Sequence, residues 1–523
     1  MAFLEIPPPK IHAICTIRRV YPIVFLPPSS RLQLSVGQAS TPKARAFSSL
    51  SRHFKSMESS QPPLSSSHLD PTSNSDSGDK LGPHLTVTQK EQLKVESQVA
   101  DIYRCLVGVP LHRQSLVLEL RREKHIEYLT KGLNQLGHTF QVLDAKFASS
   151  SLAQFDPHTN CIVQYHDLNA LILLCFSRPW LCYWILHSYS LLGEAVDSEL
   201  EGRVVDFLSR CQDKEGGYAG GPGQMPHLAT TYAAVNTLVT LGTESALSSI
   251  NRKGMHNFLL SMKESLGGFR MHQLGEIDAR SCYCAISVAS LLNILDAELV
   301  RGVGEYIASC QTYEGGIGGE PHSEAHGGYT FCGLAAMILI DEVEKLDLPC
   351  LINWVASRQG IELGFQGRAN KLVDGCYSFW QGAALALTQK LAPLAKEVSE
   401  EQSSIRATRD YSDLGIEFMR RCNQTGPLFH HLALQQYIIL CSQILEGGFR
   451  DKPDKYRDYY HTCYCLSGLS ICQYSCMRDG DLRPSTSDVL GPYSNLLEQV
   501  HPLYNVVLDK FYTAHKFFSR SSF

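Results

Sequence analysis

From about Leu85 onward, apolar residues recur every three to four positions between charged ones, as in Thr86–Tyr103 and Ser115–Leu136. That is the period of amphipathic helices. From Ser177 the pattern becomes a unit that recurs: a helix ending in Cys-Gln, Arg-Gln or a remnant of it, a Gly-Gly turn, a polar loop and a more apolar helix. The turns are Glu215-Gly216-Gly217, Leu266-Gly267-Gly268, Glu314-Gly315-Gly316, Glu362-Leu363-Gly364 and Glu446-Gly447-Gly448. The second helices centre on Tyr232, Tyr283, Phe331, Phe379 and Tyr464, spaced 51, 48, 48 and 85 residues apart. A period near 50 predicts stacked helical hairpins, each burying a face against its neighbours. Hairpins wound this way can close into an all-α ring, whose inner helices then run parallel with their N-termini on one rim. Such a rim gathers helix-end potential and free N–H groups, which suit an anion. The long last step predicts an insertion, seated at Lys390–Arg406 (KLAPLAKEVSEEQSSIR), which is charged and has no aromatics. The chain thus divides into an extension and linker at 1–85, a helical repeat region at 86–475 and a tail at 476–523.

Composition narrows the class. The chain has 523 residues, 44% hydrophobic and 19% charged, with a net charge of −5, as in a soluble globular protein. This balance gives no reason to expect nucleic acid. Of the eighteen cysteines none forms C-x-x-C, and many lie in apolar helical runs such as SCYCAISVASLL and HTCYCLSGLS. They read as buried, reduced thiols of a cytoplasmic protein. The most apolar run, Leu168–Leu192, is broken by Arg178-Pro179 and reads as the start of a buried helix, with no transmembrane segment. Residues 1–57 carry eight Lys/Arg and one acid, Glu5. That composition is compatible with a transit peptide, but frequent proline and the lack of an amphipathic helix favour a disordered extension, or translation starting at Met57. Residues 59–80 read as low-complexity linker.

Candidate chemistry concentrates between Gly364 and Trp380 (GFQGRANKLVDGCYSFW), where two cations, an Asp-x-Cys pair and an aromatic run follow one another. Cations suit phosphate, Asp with Cys suits zinc, and aromatic faces suit a long apolar ligand. Aligned on the repeat aromatics, Cys376 and His461 share one position, three residues upstream, with Ala229, Arg280 and Gly328. Five residues upstream stand His227, Asp278, His326, Asp374 and Tyr459. This register predicts that Asp374, Cys376 and His461 converge at neighbouring helix starts. Three protein ligands with a fourth position open is the pattern of a catalytic zinc.

The blocks RPWLCYWILHS, GGPGQMPHLATTYAAVNTL, EIDARSCYCAISVASL, EAHGGYTFCGLAA, GRANKLVDGCYSFWQG and DKYRDYYHTCYCLSGLS stand in order over about residues 95–475. In them the chain resembles the beta subunits of protein farnesyltransferases. The resemblance implies an α-α barrel paired with a helical alpha subunit. It also implies transfer of a farnesyl group from farnesyl diphosphate to a cysteine near the C-terminus of a C-a-a-X protein. Asp374, Cys376 and His461 resemble the ligands of one zinc ion, and Lys371 and Tyr377 resemble groups acting with them. His326, Arg368, Lys371 and Tyr377 resemble diphosphate contacts. Gly327, Gly328, Tyr329, Ala369, Asn370, Ser378, Phe379 and Trp380 belong to the same isoprenoid-diphosphate segments. Trp180, Trp184, Arg280, Tyr283 and Trp380 resemble the lining of the farnesyl and peptide pocket. Asp451 matches a carboxylate used with magnesium. Geranylgeranyltransferase subunits are the nearest alternative, but they carry a smaller residue where Trp180 stands. A terpene cyclase on this barrel needs an acidic D-x-D-D run, absent here, and a non-catalytic scaffold has no use for the zinc-like triad.

Overall fold

The computed structural model describes residues 85–147, 178–391, 410–421, 426–478 and 481–520, with side chains in the first segment up to Asn134. The extension at 1–84 and most of the predicted insertion lie outside the described residues. The helices that organise the fold are α1 (Val87–Val107), α2 (Arg122–Phe147), α3 (Arg178–Leu191), α4 (Ser198–Cys211), α5 (Leu228–Leu241), α6 (Arg252–Met262), α7 (Ala279–Leu291), α8 (Val303–Ser309), α9 (Gly327–Leu339), α10 (Leu348–Ala356), α11 (Tyr377–Leu391), α12 (His431–Tyr437), α13 (Tyr459–Tyr474) and α14 (Leu508–Ser519).

Two kinds of helix alternate, and their sequences dictate which is which. In α4 only Leu200, Val204, Phe207, Leu208 and Cys211 are buried, a single stripe at helical spacing. In α5 every residue but Ala229 is buried, and in α7 every residue but Arg280. A helix apolar all round belongs inside. The inner helices α3, α5, α7, α9, α11 and α13 each pack on the next, and α13 packs back on α3, so the ring closes.

The turns explain the Gly-Gly signature. In all five an N–H reaches back across the turn, from Asp213, Glu264, Thr312, Gly360 and Ile444 to the carbonyls of Gly217, Gly268, Gly316, Gly364 and Gly448. Gly216, Gly267, Gly315 and Gly447 have φ of 101°, 95°, 103° and 95°, a region costly for any residue with a Cβ. A Cβ at Gly216 or Gly267 would also lie 1.9 Å from the carbonyl oxygen of Gly254 or Gly302, at the neighbouring outer helix. At Gly447 it would meet Lys124 O in α2 at 2.0 Å, so the outer layer closes as well. The exception is Leu363, at φ 74°. It is buried beneath α1 with Val95, Val99 and Tyr103.

The rim is laced from repeat to repeat. Backbone N–H groups at the inner-helix starts, Leu228, Ala279, Gly327 and Gly375, donate to Met271, Gly319, Gly367 and Asp451 O at 2.8, 2.8, 2.7 and 2.6 Å. The opposite end is filled by the tail, which the sequence placed outside the repeat. A two-stranded hairpin pairs Val500 with Val507 and His501 with Val506, and its loop enters the ring. Tyr183, Tyr283 and Tyr232 hydroxyls donate to Asn505, Leu503 and Tyr504 carbonyls at 2.6, 2.8 and 3.0 Å. The lumen is therefore a cup with a floor.

Candidate metal and diphosphate site

The turn geometry fixes the register of the inner helices more tightly than the aromatics do. Tyr218, Ile317 and Phe449 N–H groups donate to Thr231, Thr330 and Thr462 Oγ1, each thirteen residues on. The fourth and fifth turns, bridged Gln359–Phe365 and Gln443–Phe449, stand 84 residues apart, one fewer than the aromatic spacing. His461 is thus equivalent to Tyr377, and Cys376 to Tyr460. The expected sharing of one position by Cys376 and His461 is corrected by one residue, because the aromatic anchor Tyr464 sits one place later along α13.

That register exposes a ring of capping side chains. His227 and His326 Nδ1, and Asp278 and Asp374 Oδ1, each accept the N–H two residues on, at 3.1, 3.1, 2.8 and 2.8 Å. The fifth member is Asp458, not Tyr459. Its Oδ1 accepts His461 N–H at 2.7 Å, and its Oδ2 accepts His461 Nδ1–H at 2.6 Å. Asp458 is the functional residue that sequence reading missed; its signal was a carboxylate at the cap position three residues before His461.

With Nδ1 engaged, His461 Nε2 is buried without a hydrogen-bond partner and lies 3.3 Å from Asp374 Oδ1. The ligand atoms of Asp374, Cys376 and His461 all fall within 4.8 Å of one another. Burial opposes the charge on His461, but Asp374 and Asp458 outweigh it and hold the imidazole protonated, up to about 10. Burial would raise the Asp374 carboxyl, yet His461 draws it below its usual range. Burial and then Asp374 push the Cys376 thiol well up. Two carboxylates and a buried thiol around an unpaired nitrogen form a pocket that demands positive charge, and its N, O and S donors fit a zinc ion. Gly375 lets the chain turn here: a Cβ would lie 2.7 Å from Cys465 Sγ and 3.0 Å from Arg450 O.

Beside this cluster, His326 and Tyr377 meet, with His326 Nε2 3.0 Å from the Tyr377 hydroxyl. Because His326 Nδ1 accepts Gly328 N–H, the network places the proton on Nε2. Burial, then Arg368, lowers His326 and keeps it neutral, while burial keeps the Tyr377 phenol protonated. Arg368 pairs with Glu324 at 2.7 Å across an exposed surface. Lys371 is exposed and makes no ion pair among the described residues. Gly327, Gly328 and Tyr329 form the first turn of α9; Ala369 and Asn370 sit in the adjoining loop, with Asn370 at φ 58°. Arg280 stands on the same rim, bound to Asp278 and over the Tyr329 ring. The Asp451 carboxylate is bound by the Lys452 ammonium and the Lys452 N–H.

Aromatic rings line the lumen below. Trp180 packs on Trp184 and Tyr232 at 5.5 and 5.8 Å, Tyr283 on Phe331 at 5.3 Å, and Phe331 on Phe379 and Trp380 at 5.1 and 5.4 Å. Trp380 stacks on Tyr464 at 4.6 Å and donates its indole N–H to Tyr460 at 3.2 Å. Trp180, Trp184 and Trp380 are only partly buried, whereas Ser378 beside them is fully buried. The wall runs from the triad down into the cup.

The family model described as prenyltransferase alpha-alpha toroid domain matches residues 120–155 and 156–506. Protein farnesyltransferase subunit beta of Pisum sativum is 52% identical over 469 residues, 84% of this chain and 98% of that one. The subunit of that name from Arabidopsis thaliana is 51% identical over 84% of this chain and 91% of its own length. Geranylgeranyl transferase type-1 subunit beta of Arabidopsis thaliana is 30% identical over 47% of this chain. Among solved structures, Candida albicans protein geranylgeranyltransferase-I complexed with GGPP has the same fold. Its TM-score is 0.52 at 18% identity, covering 76% of this chain and 99% of that one.

Proposed function

The chain belongs to the protein farnesyltransferase subunit beta family, and on that premise we propose how its rim and lumen carry out the transfer. It is the catalytic beta subunit of a protein farnesyltransferase, and a helical alpha subunit is its proposed partner. The donor is farnesyl diphosphate and the acceptor is the C-terminal cysteine of a C-a-a-X protein. The observation that carries the site assignment is the convergence of Asp374, Cys376 and the buried His461 Nε2, 3.3 Å from Asp374 Oδ1, at the mouth of an aromatic cup.

Asp374, Cys376 and His461 are the residues that would hold zinc, whose positive charge would stabilise the substrate cysteine as the nucleophilic thiolate. The thiol releases its proton to solvent, a bond forms from sulfur to C1 of the isoprenoid, and the C1–oxygen bond breaks as diphosphate leaves with the electron pair. Charge on that leaving group is met by donors already in place. His326 Nε2–H donates to the Tyr377 hydroxyl and so leaves that O–H as the outward donor, Lys371 and Arg368 add cationic charge, and the starts of α9 and α11 add helix-end potential. The partly exposed rings of Trp180, Trp184 and Trp380, backed by the buried Tyr283 and Phe331, bury the isoprenoid and fix where C1 lies. Magnesium fits less well: Asp451 is already neutralised by Lys452, whose ammonium supplies the positive charge there, and no step is assigned to the ion.

The farnesyl reading is favoured over a geranylgeranyl one by Trp180, whose indole fills the lumen against Tyr232 and Trp184, and by higher identity to the farnesyl subunits. The test is co-expression with an alpha subunit, then transfer to C-a-a-X peptides from each donor. A preference for geranylgeranyl diphosphate would refute the farnesyl assignment, and no transfer from either would refute the catalytic one.

A further inference from the structure

Behind the lumen wall, the tail hairpin makes a contact that the repeat does not require. Three consecutive carbonyls at its tip, those of Leu503, Tyr504 and Asn505, accept one hydroxyl each, from Tyr283 in α7, Tyr232 in α5 and Tyr183 in α3. All three tyrosines are buried, so their hydroxyls serve the tail and not solvent. The tip is itself held in place. Tyr504 O also accepts Asn236 Nδ2–H at 3.0 Å, one turn after Tyr232. The Tyr504 hydroxyl meets Ser290 Oγ at 2.8 Å, and its ring stacks on Phe511 of α14 at 5.1 Å. Asn505 stands at φ 55°, a conformation asparagine tolerates. Its Oδ1 lies 3.1 Å from His187 Nε2, and the His187 ring stacks on Tyr183 at 5.4 Å.

These bonds converge on Trp180. Its indole is only partly buried and is held by rings: Tyr183 edge-on at 6.0 Å, Tyr232 at 5.8 Å and Trp184 at 5.5 Å. Two of those three neighbours end on tail carbonyls. A buried phenol bonded to a fixed acceptor has its ring tilt and height set by that bond. Two readings compete. If the tail only plugs the barrel, its hydrogen bonds support stability and nothing else. Their placement favours a second role. At the repeat positions that follow Tyr232 and Tyr283, the ring is Phe331 and then Phe379, with no hydroxyl to give. The clasp is thus confined to the side of the lumen where Trp180 stands.

We propose that Tyr183 and Tyr232 are positioning residues for donor length, through which the tail sets the Trp180 indole. This rests on the farnesyl reading given above. The tail does not touch the isoprenoid: its carbonyls fix two phenols, the phenols fix the indole, and the indole closes the far end of the donor pocket.

The experiment uses Tyr183→Phe and the double variant Tyr183→Phe/Tyr232→Phe, each in complex with the alpha subunit. Both keep the rings and remove only hydroxyls. The readouts are kcat/KM for farnesyl and geranylgeranyl diphosphates with one C-a-a-X peptide, zinc content and the thermal midpoint. The geranylgeranyl-to-farnesyl ratio should rise in both, by roughly 10-fold in the double variant, because small displacements of a positioning group are felt in rate. Zinc content should not change. In a Trp180→Thr background the same substitutions should leave the ratio where Trp180→Thr alone puts it, since residues that act through one another are not additive. A lowered thermal midpoint with an unchanged ratio would overturn the proposal, and so would an equal rise in the Trp180→Thr background. The unaltered enzyme is measured first. If it prefers geranylgeranyl diphosphate, the farnesyl reading falls and this inference with it; if it prefers farnesyl and the variants keep its ratio, only this inference falls. If the double variant does not fold, Tyr183→Phe with and without Trp180→Thr decides the same question.

Discussion

Asp458 does two jobs with two oxygens, and replacing it with Asn separates them. Oδ1 caps α13 by accepting His461 N–H at 2.7 Å, and Oδ2 accepts the ring Nδ1–H at 2.6 Å. Asn caps a helix as well as Asp does, so Asp458→Asn keeps the first bond. Its amide N–H₂ then faces Nδ1–H, donor against donor. In the neutral ring that metal ligation requires, this clash is relieved only by moving the single proton to Nε2, the atom that faces Asp374 and Cys376, and a protonated Nε2 cannot ligate. Loss of such an outer partner costs about 10- to 100-fold in metal affinity, or roughly 1.4–2.7 kcal/mol at 1.36 kcal/mol per decade. The assay is transfer rate against free zinc in a chelator-buffered series. The zinc concentration for half activity should rise by that factor, with most of the rate recovered at saturating zinc. The thermal midpoint of the zinc-free protein should hardly move in Asp458→Asn. In Asp458→Ala it should fall, because the cap, worth about 1 kcal/mol, is lost as well. An unchanged zinc requirement in Asp458→Asn would refute the role of Oδ2.

Trp180→Thr opens the lumen beside Tyr232 and Trp184, and should shift the ratio of kcat/KM toward geranylgeranyl diphosphate by roughly 10- to 200-fold; an unchanged ratio in a zinc-loaded variant would place the length gate elsewhere. Lys371→Ala removes a charge-assisted contact worth about 1.5–3 kcal/mol. It should slow transfer more than Arg368→Ala, whose side chain is already engaged by Glu324, and zinc content should stay constant in both. Lys452→Ala frees the Asp451 carboxylate, so added magnesium should accelerate the variant more than the original; equal stimulation would show that Lys452 is not the local counter-ion.

The architecture was legible because the repeat writes itself twice, in the Gly-Gly turns and in the inner helices that are apolar all round. The triad was legible because Asp374, Cys376 and His461 stand at helix starts. The register between the fourth and fifth repeats was not. An aromatic one residue out of place still packs in the ring, so side-chain type alone does not distinguish Cys463 from Tyr464 as the equivalent position, whereas the Phe449 N–H to Thr462 bond does. Asp458 was hidden by that slip. The pairing of Asp451 with Lys452 was hidden for another reason: adjacent residues in an irregular loop have no period to read. The tail carries no repeat signal, yet Tyr183, Tyr232 and Tyr283 all spend their hydroxyls on its backbone.

The closed ring has a consequence for how the chain is made. An open solenoid can fold as its repeats emerge, each on the one before. Here α3 finds its second neighbour only in α13, and Tyr183 finds its acceptor only at Asn505, 322 positions later. Until the ribosome has released nearly the whole chain, the first hairpin has an unsatisfied apolar flank. Contacts of such long sequence separation form slowly. The half-made ring is therefore the vulnerable species during synthesis, the one that would need shielding from aggregation, and closure is the event that ends its exposure.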